Sequence, residues 1–322
     1  MIYKRISASE LEVNWQMLKD ALPKMRLGWI GIGRMGYAMA KRLASGGTDL
    51  TVYNRSSEKA EPLRAHGAKI AAGIADLRQC DVVFVMLSTG DVVKDVLVGK
   101  DGLLTGGNSR IRLLVDCSSI SVEMSAELRQ TLATSGVAFL AAPVSGNPHV
   151  VEAGQASFVV SGSRAAFDEI QPFLLTMSRA ASYVGDGELA RVAKICHNVW
   201  LGALTQSLAE VTVLAEKAGM TRTSFLDFLN DSALGSIYTR GKAPHWQRLD
   251  FAATFTPPLM RKDMDLGLSL ARKLDAPMPL SSMTREIIQN QINQGFVDVD
   301  FSTLLVLQAK SAGLDLVPEG DQ

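Results

Sequence analysis

The chain has 322 residues, enough for two domains, and its 33 basic and 33 acidic residues leave a formal net charge of zero. This balance provides no basic field that would recruit nucleic acid, and no apolar run is long enough to span a membrane. The three cysteines, Cys80, Cys117 and Cys196, lack metal-ligand spacing. We therefore expect reduced thiols in a cytoplasmic protein with no metal site and no nucleic-acid or membrane partner.

The first 25 residues are predicted to form an N-terminal extension. Charged side chains interrupt its apolar residues, so we do not expect the segment to be a secretory signal. Two interpretations remain open. Residues 13–22 carry apolar side chains at the spacing of a short amphipathic helix, or the extension lies upstream of a start at Met25.

Residues 27–57 predict a strand, a glycine-rich turn, a helix and a second strand. The turn reads GIGRMG over residues 31–36, which is the dinucleotide-binding pattern G-x-G-x-x-G. We expect Gly31 to make the tight turn, Gly33 to let the pyrophosphate approach, and Gly36 to allow close packing of the helix on the strand. The N–H groups at the start of the helix then face the phosphates. The other residues of this turn that are predicted to bind the cofactor are Ile32, Arg34 and Met35.

The second strand ends in Asn54, Arg55 and Ser56, at the position that meets the adenine ribose. A carboxylate there would bind the 2′-hydroxyl and select NAD, whereas an arginine accommodates a 2′-phosphate. This segment has a cation and small hydrogen-bonding side chains but no carboxylate, and a glycine-rich turn without a ligand would not explain it. We predict that these three residues bind NADP(H) in preference to NAD(H). NAD(H) stays open as an alternative cofactor.

After this unit, apolar strands alternate with helical patterns as far as residue 184. The alternation predicts an α/β Rossmann domain over residues 26–186 with a doubly wound, mostly parallel sheet. Ligands of such sheets bind beyond the carboxyl ends of the strands, where the loops at residues 87–89, 117–119 and 143–147 lie. The further predicted strands are 81–87, 112–116, 138–141, 155–160 and 181–184, and the helices are 58–66, 91–97, 122–134 and 164–177.

From residue 187 onward the pattern is helical, which predicts an all-α domain over residues 187–322 for substrate binding and oligomerisation. Residues 188–217 are apolar nearly all round, so we expect one buried central helix. Trp200 on this helix and Trp29 in the first strand are expected in the core. Because apolar helices often pack against a partner, we predict a homodimer or homotetramer. Further helices are predicted at residues 221–229, 262–274, 282–293 and 300–312.

Four segments together carry a family resemblance. They are the turn at residues 31–36, APVSG at 142–146, the segment from residue 187 to KICHN at 194–198, and RKDMDL at 261–266. With them the chain resembles the β-hydroxyacid dehydrogenases, the family of 3-hydroxyisobutyrate dehydrogenase, tartronate semialdehyde (2-hydroxy-3-oxopropionate) reductase and 6-phosphogluconate dehydrogenase. Two positions depart from the family pattern: Ala141 stands where aspartate is usual, and Asn147 where a second glycine is usual.

Lys194 and Asn198 are one helical turn apart and therefore share a face of the predicted helix. Hydride transfer between nicotinamide and a hydroxy acid requires a proton to move at the carbonyl oxygen, and a lysine in a suitable environment supplies it. The resemblance implies that Lys194 is this catalytic acid and base, and that Asn198 holds the substrate hydroxyl or carboxylate. A lysine on a solvated helix face is the alternative interpretation.

The resemblance also implies roles for the loops and for the last motif. A substrate carboxylate would meet Ser145 and the backbone N–H of Gly146, with Ser118 and Asn147 beside them; a tight turn alone is the alternative. We expect the ribose and nicotinamide to be bordered by Leu87, Ser88 and Ser119, and the adenine to lie near Val92. The last expected cofactor-binding residue is Lys262 in the C-terminal Lys-Asp segment, for which a surface cation is the alternative.

We therefore predict an NADP(H)-dependent oxidoreductase that transfers a hydride between nicotinamide and a small β-hydroxy acid or its semialdehyde. An imine reductase is similar in fold but commonly carries Asp or Tyr where this chain has Lys194, so it ranks second. A cofactor-binding interaction protein that has lost catalysis is a third possibility, which the presence of both Lys194 and Asn198 disfavours.

Overall fold

The computed structural model describes residues 22–319, so most of the predicted N-terminal extension lies outside the described residues. The chain divides into two compact units, the first ending at Lys194 and the second beginning at Ile195. The predicted domain boundary at residue 187 stays a prediction. The strands of the main sheet in the first unit are β1 (Arg26–Ile30), β2 (Asp49–Tyr53), β3 (Lys69–Ile70), β4 (Val82–Val85), β5 (Leu113–Asp116) and β6 (Ala138–Ala141).

This sheet is parallel throughout and has the order β3-β2-β1-β4-β5-β6, which reverses direction between β1 and β4. Its side chains alternate between two buried clusters, with Trp29 and Phe84 in one and Val83 and Leu114 in the other. Burial on both faces is why the central strands β4 and β5 read as nearly continuous apolar runs. The connecting helices are α1 (Arg34–Ser45), α2 (Gly90–Val98) and α3 (Val122–Thr134), with 3-10 helices at Ser57–Lys59, Glu61–His66 and Ile74–Gln79.

A three-stranded sheet completes the first unit. Its elements are β7 (Val144–Ser145), α4 (Pro148–Glu152), β8 (Ser157–Val160), α5 (Arg164–Met177) and β9 (Ala180–Tyr183). β8 pairs antiparallel with β7 and parallel with β9, and backbone hydrogen bonds between Ala141 and Ser161 join this sheet to β6. β7 and α4 are not among the predicted elements, because elements of 2 and 5 residues are too short to show a periodicity.

The helix α6 (Leu189–Lys217) crosses from the first unit into the second, and among described residues 195–319 there is no strand. The predicted fold class, an α/β Rossmann domain followed by an all-helical one, is confirmed. No helix within residues 22–319 combines the length and the apolarity that crossing a membrane requires. The remaining helices are α7 (Arg222–Asp231), α8 (Ile237–Arg248), α9 (Pro257–Lys273), α10 (Pro279–Asn293) and α11 (Leu304–Ser311), with a 3-10 turn at Phe301–Thr303.

The two tryptophans that were expected in the core behave differently. Trp29 is fully buried, which confirms the prediction, whereas Trp200 is 65% exposed, so its predicted core position is wrong. Val211 and Leu214, about three and four turns further along α6, are exposed on the same face. A helix that is apolar nearly all round presents more apolar surface than its own unit covers.

Candidate cofactor and active site

The predicted loops of the first unit meet at one edge of the main sheet. Because β1, β4, β5 and β6 are parallel, the segments 31–36, 86–88, 117–119 and 142–147 all follow carboxyl ends at that edge. Backbone hydrogen bonds continue the strand pairing into these loops, from Met86 N to Ile30 O at 2.9 Å and from Cys117 N to Val85 O at 2.8 Å. The fold therefore brings together the predicted cofactor and substrate segments that lie in the first unit.

The glycines of the 31–36 turn differ in their surroundings. Gly31 has φ +97°, and a Cβ atom there would lie 2.2 Å from the carbonyl oxygen of Met86. A Cβ on Gly36 would lie 2.0 Å from the carbonyl oxygen of Gly31. At Gly33, which begins α1 and has no side chain to cap it, a Cβ would meet no protein atom within 4 Å. Open space at an uncapped helix N-terminus suits a pyrophosphate, so these residues fit a dinucleotide.

The buried side chain of Trp29 supports the turn at residues 31–36. Its indole Nε1–H donates a hydrogen bond of 3.0 Å to the carbonyl oxygen of Gly31, and its ring stacks on Phe84 with 5.7 Å between the centroids. A fully buried indole N–H needs an acceptor, and here the acceptor is the first glycine of the turn. The sequence pattern indicated a core residue and had no signal for this second role.

Trp29→Phe is expected to raise KM for the dinucleotide about threefold to tenfold, because the ring stays stacked while the hydrogen bond to Gly31 is lost. Steady-state kinetics with varied cofactor measures the change. Trp246→Phe is the matched control: Trp246 is equally buried in the second unit, and its indole nitrogen has no hydrogen-bond partner among the described residues. Equal KM values for wild type and Trp29→Phe would contradict this role.

Asn54 connects the turn to the segment after β2. Its Oδ1 accepts a hydrogen bond of 2.9 Å from the N–H of Ile32, and its Nδ2 donates one of 2.8 Å to the carbonyl oxygen of Ser56. Both ends of the amide are therefore engaged in shaping the loop. The Arg55 side chain is exposed beside them, where it is accessible to a ligand.

The loops after β4 and β5 are joined through Ser118. This residue is fully buried, its Oγ accepts a hydrogen bond of 2.9 Å from the N–H of Leu87, and its own N–H donates to Oδ1 of Asp116 at 3.0 Å. Ser119 is half-buried, while Ser88 and Val92 are exposed. Contact of these residues with substrate or cofactor stays a prediction.

The predicted substrate loop contains β7 and begins α4. Ser145 is half-buried, and Gly146 has φ +143°, a conformation that favours glycine. Asn147 caps α4, because its Oδ1 accepts a hydrogen bond of 3.0 Å from the N–H of Val150. The asparagine that replaces the usual second glycine therefore has a local structural role, and Ala141, the other departure, is fully buried.

Lys194 is half-buried on α6, and Arg191, one turn before it, is buried. The Arg191 guanidinium forms an ion pair of 2.5 Å with Oδ2 of Asp116, at the carboxyl end of β5. Neither partner of this pair is a predicted site residue. The first turns of α6 are thus tied to the sheet edge where the predicted cofactor segments lie.

In the second unit, two predicted residues are linked through a third. Nδ2 of Asn198 donates a hydrogen bond of 2.6 Å to Oδ2 of Asp263, and Nζ of Lys262 lies 3.2 Å from Oδ1 of the same carboxylate. Asn198 and Asp263 are both buried, and Nδ1 of His197 lies 2.9 Å from Oδ1 of Asn198. From the sequence, Asp263 was evident only as a member of the family-like segment at residues 261–266, because its partner is on another helix.

The strand order, the G-x-G-x-x-G turn at the point where that order reverses, and the all-helical second unit define a class: a dinucleotide-binding protein of the Rossmann type. Residues 26–185 match the family model for the NAD-binding domain of 6-phosphogluconate dehydrogenase. Residues 188–307 match the model described as NAD-binding of NADP-dependent 3-hydroxyisobutyrate dehydrogenase.

Known proteins resemble the chain over most of its length. It is 32% identical to the uncharacterized oxidoreductase YfjR of Bacillus subtilis, over 87% of this chain and 99% of that protein. It is 29% identical to glyoxylate/succinic semialdehyde reductase 2, chloroplastic, of Arabidopsis thaliana, over 92% of this chain and 83% of that protein. The structure of Mycobacterium tuberculosis 3-hydroxyisobutyrate dehydrogenase with L-serine is similar, with a TM-score of 0.77 and 26% identity. The similarity covers 88% of this chain and 99% of that protein. The chain belongs to the β-hydroxyacid dehydrogenase family and is a nicotinamide-dependent oxidoreductase, as predicted.

Proposed function

We propose that the protein interconverts a small β-hydroxy acid and its semialdehyde with NADP(H). The observation that carries this proposal is the anchoring of the lysine-bearing turns of α6 to the sheet edge. Arg191, one turn before Lys194, is bonded to Asp116 at 2.5 Å and to the carbonyl oxygen of Ser118 at 2.6 Å. Lys194 is half-buried one turn after this anchor, and a partly desolvated lysine is suited to acid–base work.

A bound nicotinamide supplies or accepts the hydride. In the reducing direction, the Lys194 ammonium donates a proton to the carbonyl oxygen as that oxygen gains the electron pair, and Lys194 is then reprotonated from solvent. In the oxidising direction, its neutral amine takes the proton from the hydroxyl. The hydroxyl of Ser145 and the backbone N–H of Gly146 are the groups we assign to the substrate carboxylate, with Ser118 and Asn147 of the same unit completing the contact.

The substrate class is tested by following NADPH oxidation with glyoxylate, succinic semialdehyde, tartronate semialdehyde and methylmalonate semialdehyde. The Arabidopsis relative is named for the first two, and the mycobacterial structure is a 3-hydroxyisobutyrate dehydrogenase. We expect turnover with at least one of these aldehydes. Tight NADPH binding without turnover of any of them would contradict the proposal and favour a cofactor-binding protein that has lost catalysis.

Preference for NADP(H) rests on the exposed Arg55 cation at the end of β2. Arg55→Ala is expected to lower the ratio of kcat/KM for NADPH to that for NADH by about tenfold or more, because a charge-assisted contact with the 2′-phosphate is lost. Steady-state kinetics with both cofactors gives the ratio. Lys100→Ala, which removes another exposed cation of the first unit, is expected to leave it unchanged. An unchanged ratio in Arg55→Ala would contradict this role.

We further propose a homodimer or homotetramer in the cytoplasm. The exposed apolar face of α6, formed by Trp200, Val211 and Leu214, supports self-association, because apolar patches of this kind usually contact a partner. The molar mass in solution, measured by light scattering, tests it, and a monomer at all concentrations would contradict it. The free thiols of Cys80, Cys117 and Cys196 suit a reducing compartment.

A further inference from the structure

The ion pair between Arg191 and Asp116 lies deep within the first unit. Both side chains are only 1% exposed, and the guanidinium donates to three acceptors. These are Oδ2 of Asp116 at 2.5 Å, the carbonyl oxygen of Ser118 at 2.6 Å, and Oγ of Ser125 at 3.1 Å. Oδ1 of Asp116 in turn accepts the N–H of Ser118 at 3.0 Å. A single guanidinium therefore holds the end of β5, the loop after it and α3.

A second set of bonds anchors the residues just before α6. Arg129 on α3 donates to Oε1 of Glu188 at 2.6 Å and to the carbonyl oxygen of Gly187 at 2.7 Å. The hydroxyl of Ser125 also bonds to Glu188, and Oγ of Ser161 donates to Gly187 at 2.8 Å. The start of α6 is thus bonded on several sides, and Arg191 contributes a charged side chain from the helix itself.

Stability alone does not explain a buried arginine at this position. Desolvation of two charges offsets most of their attraction, so a buried ion pair is often no more stabilising than apolar side chains of similar size. What the pair provides is geometry, because a planar guanidinium with three acceptors tolerates little displacement.

We propose that Arg191 and Asp116 are positioning residues for catalysis. They hold the first turns of α6 against the loop that contains Ser118, and so keep the Lys194 amine at one place relative to the reacting carbonyl. This inference rests on the proposed function of Lys194. It assigns the pair no contact with substrate or cofactor.

The test is the double variant Asp116→Leu with Arg191→Met, compared with each single variant in the full chain. Each single variant leaves one buried charge unpaired, so its thermal midpoint is expected to fall. The double variant is expected to recover most of that loss. Its kcat is nevertheless expected to stay about tenfold or more below wild type, with KM for NADPH changed less than about threefold, because misplacement affects the chemical step.

Two readouts separate positioning from folding. A primary deuterium isotope effect on kcat, measured with NADPH deuterated at the transferred position, is expected to rise in the double variant; a merely unfolded fraction lowers kcat without changing it. Amide exchange in the first turns of α6 and at residues 118–119 is expected to quicken, while exchange in α11 stays the same. This second readout does not depend on turnover, so it tests the anchoring of α6 separately from the proposed function of Lys194.

Arg191→Lys provides a milder variant should the others fold poorly. It keeps the charge opposite Asp116 but not the three-acceptor geometry, so an intermediate kcat is expected. As a control, Arg112→Met with Glu169→Leu removes a partly exposed arginine–carboxylate pair of the same unit and is expected to leave kcat and the isotope effect unchanged. Wild-type kcat, isotope effect and amide exchange in a stable double variant would overturn the inference.

Discussion

Lys194→Met is expected to lower kcat by about 10²- to 10⁴-fold and to leave the Kd for NADPH nearly unchanged. Methionine keeps the length and much of the apolar stem of the lysine, so the packing of α6 is preserved while the proton donor is lost. Steady-state kinetics with the best aldehyde substrate gives kcat, and a fluorescence titration gives the Kd. The expected split follows because the ammonium acts on the carbonyl oxygen and not on the dinucleotide.

Lys217→Met is the matched control, because Lys217 is exposed at the other end of α6. It is expected to have wild-type kcat. If Lys194→Met turned over within about threefold of wild type, a proton donor other than Lys194 would be required, and the acid–base assignment would be wrong.

Gly33→Ala is expected to raise the Kd for NADPH about tenfold or more without changing the thermal midpoint. The backbone of Gly33, with φ −75° and ψ −178°, is accessible to alanine, and a Cβ there meets no protein atom within 4 Å. The added methyl group instead occupies the space that we assign to the pyrophosphate. Binding titrations and thermal unfolding of the unliganded chain measure the two quantities.

Gly36→Ala, in contrast, is expected to lower the free energy of unfolding and the thermal midpoint. A Cβ on Gly36 lies 2.0 Å from the carbonyl oxygen of Gly31, so α1 is forced away from the turn at a cost of about 1–3 kcal/mol or more in the free energy of unfolding. Gly241→Ala in α8, where a Cβ also meets no atom within 4 Å, is the control and is expected to be neutral or slightly stabilising. Wild-type affinity in Gly33→Ala, or a wild-type midpoint in Gly36→Ala, would contradict the roles given to these glycines.

The main strands were predictable because their signal is local. β1, β4, β5 and β6 are mainly apolar runs, and burial on both faces of a parallel sheet produces that pattern directly. β2 instead alternates between buried and more exposed residues. β3 and β7 have only 2 residues each, so they depend on neighbouring strands and not on a pattern of their own. α8 contains Gly241 and Pro244, which weaken a helical pattern, and its buried Trp246 helps to hold it in the unit.

The candidate site likewise has a part that the local sequence predicts and a part that it does not. The turn at residues 31–36 and the polar segment after β2 were evident from the residues alone, since a missing Cβ or a cation acts at its own position in the chain. The hydrogen bonds that support these segments were not evident from the residues alone. Trp29 reads as one more apolar strand residue until its N–H is seen to reach the carbonyl oxygen of Gly31.

The amino-acid order alone was sufficient for the α/β-then-helical architecture, the nucleotide turn and the membership of a dehydrogenase family, because each depends on residues close together in the chain. Folding decided the rest. Asp116 meets Arg191 across 75 positions, Asn198 meets Asp263 across 65, and Trp200 faces outward although its helix is apolar nearly all round. Partners so far apart are chosen by how whole elements pack, and no local pattern contains that information.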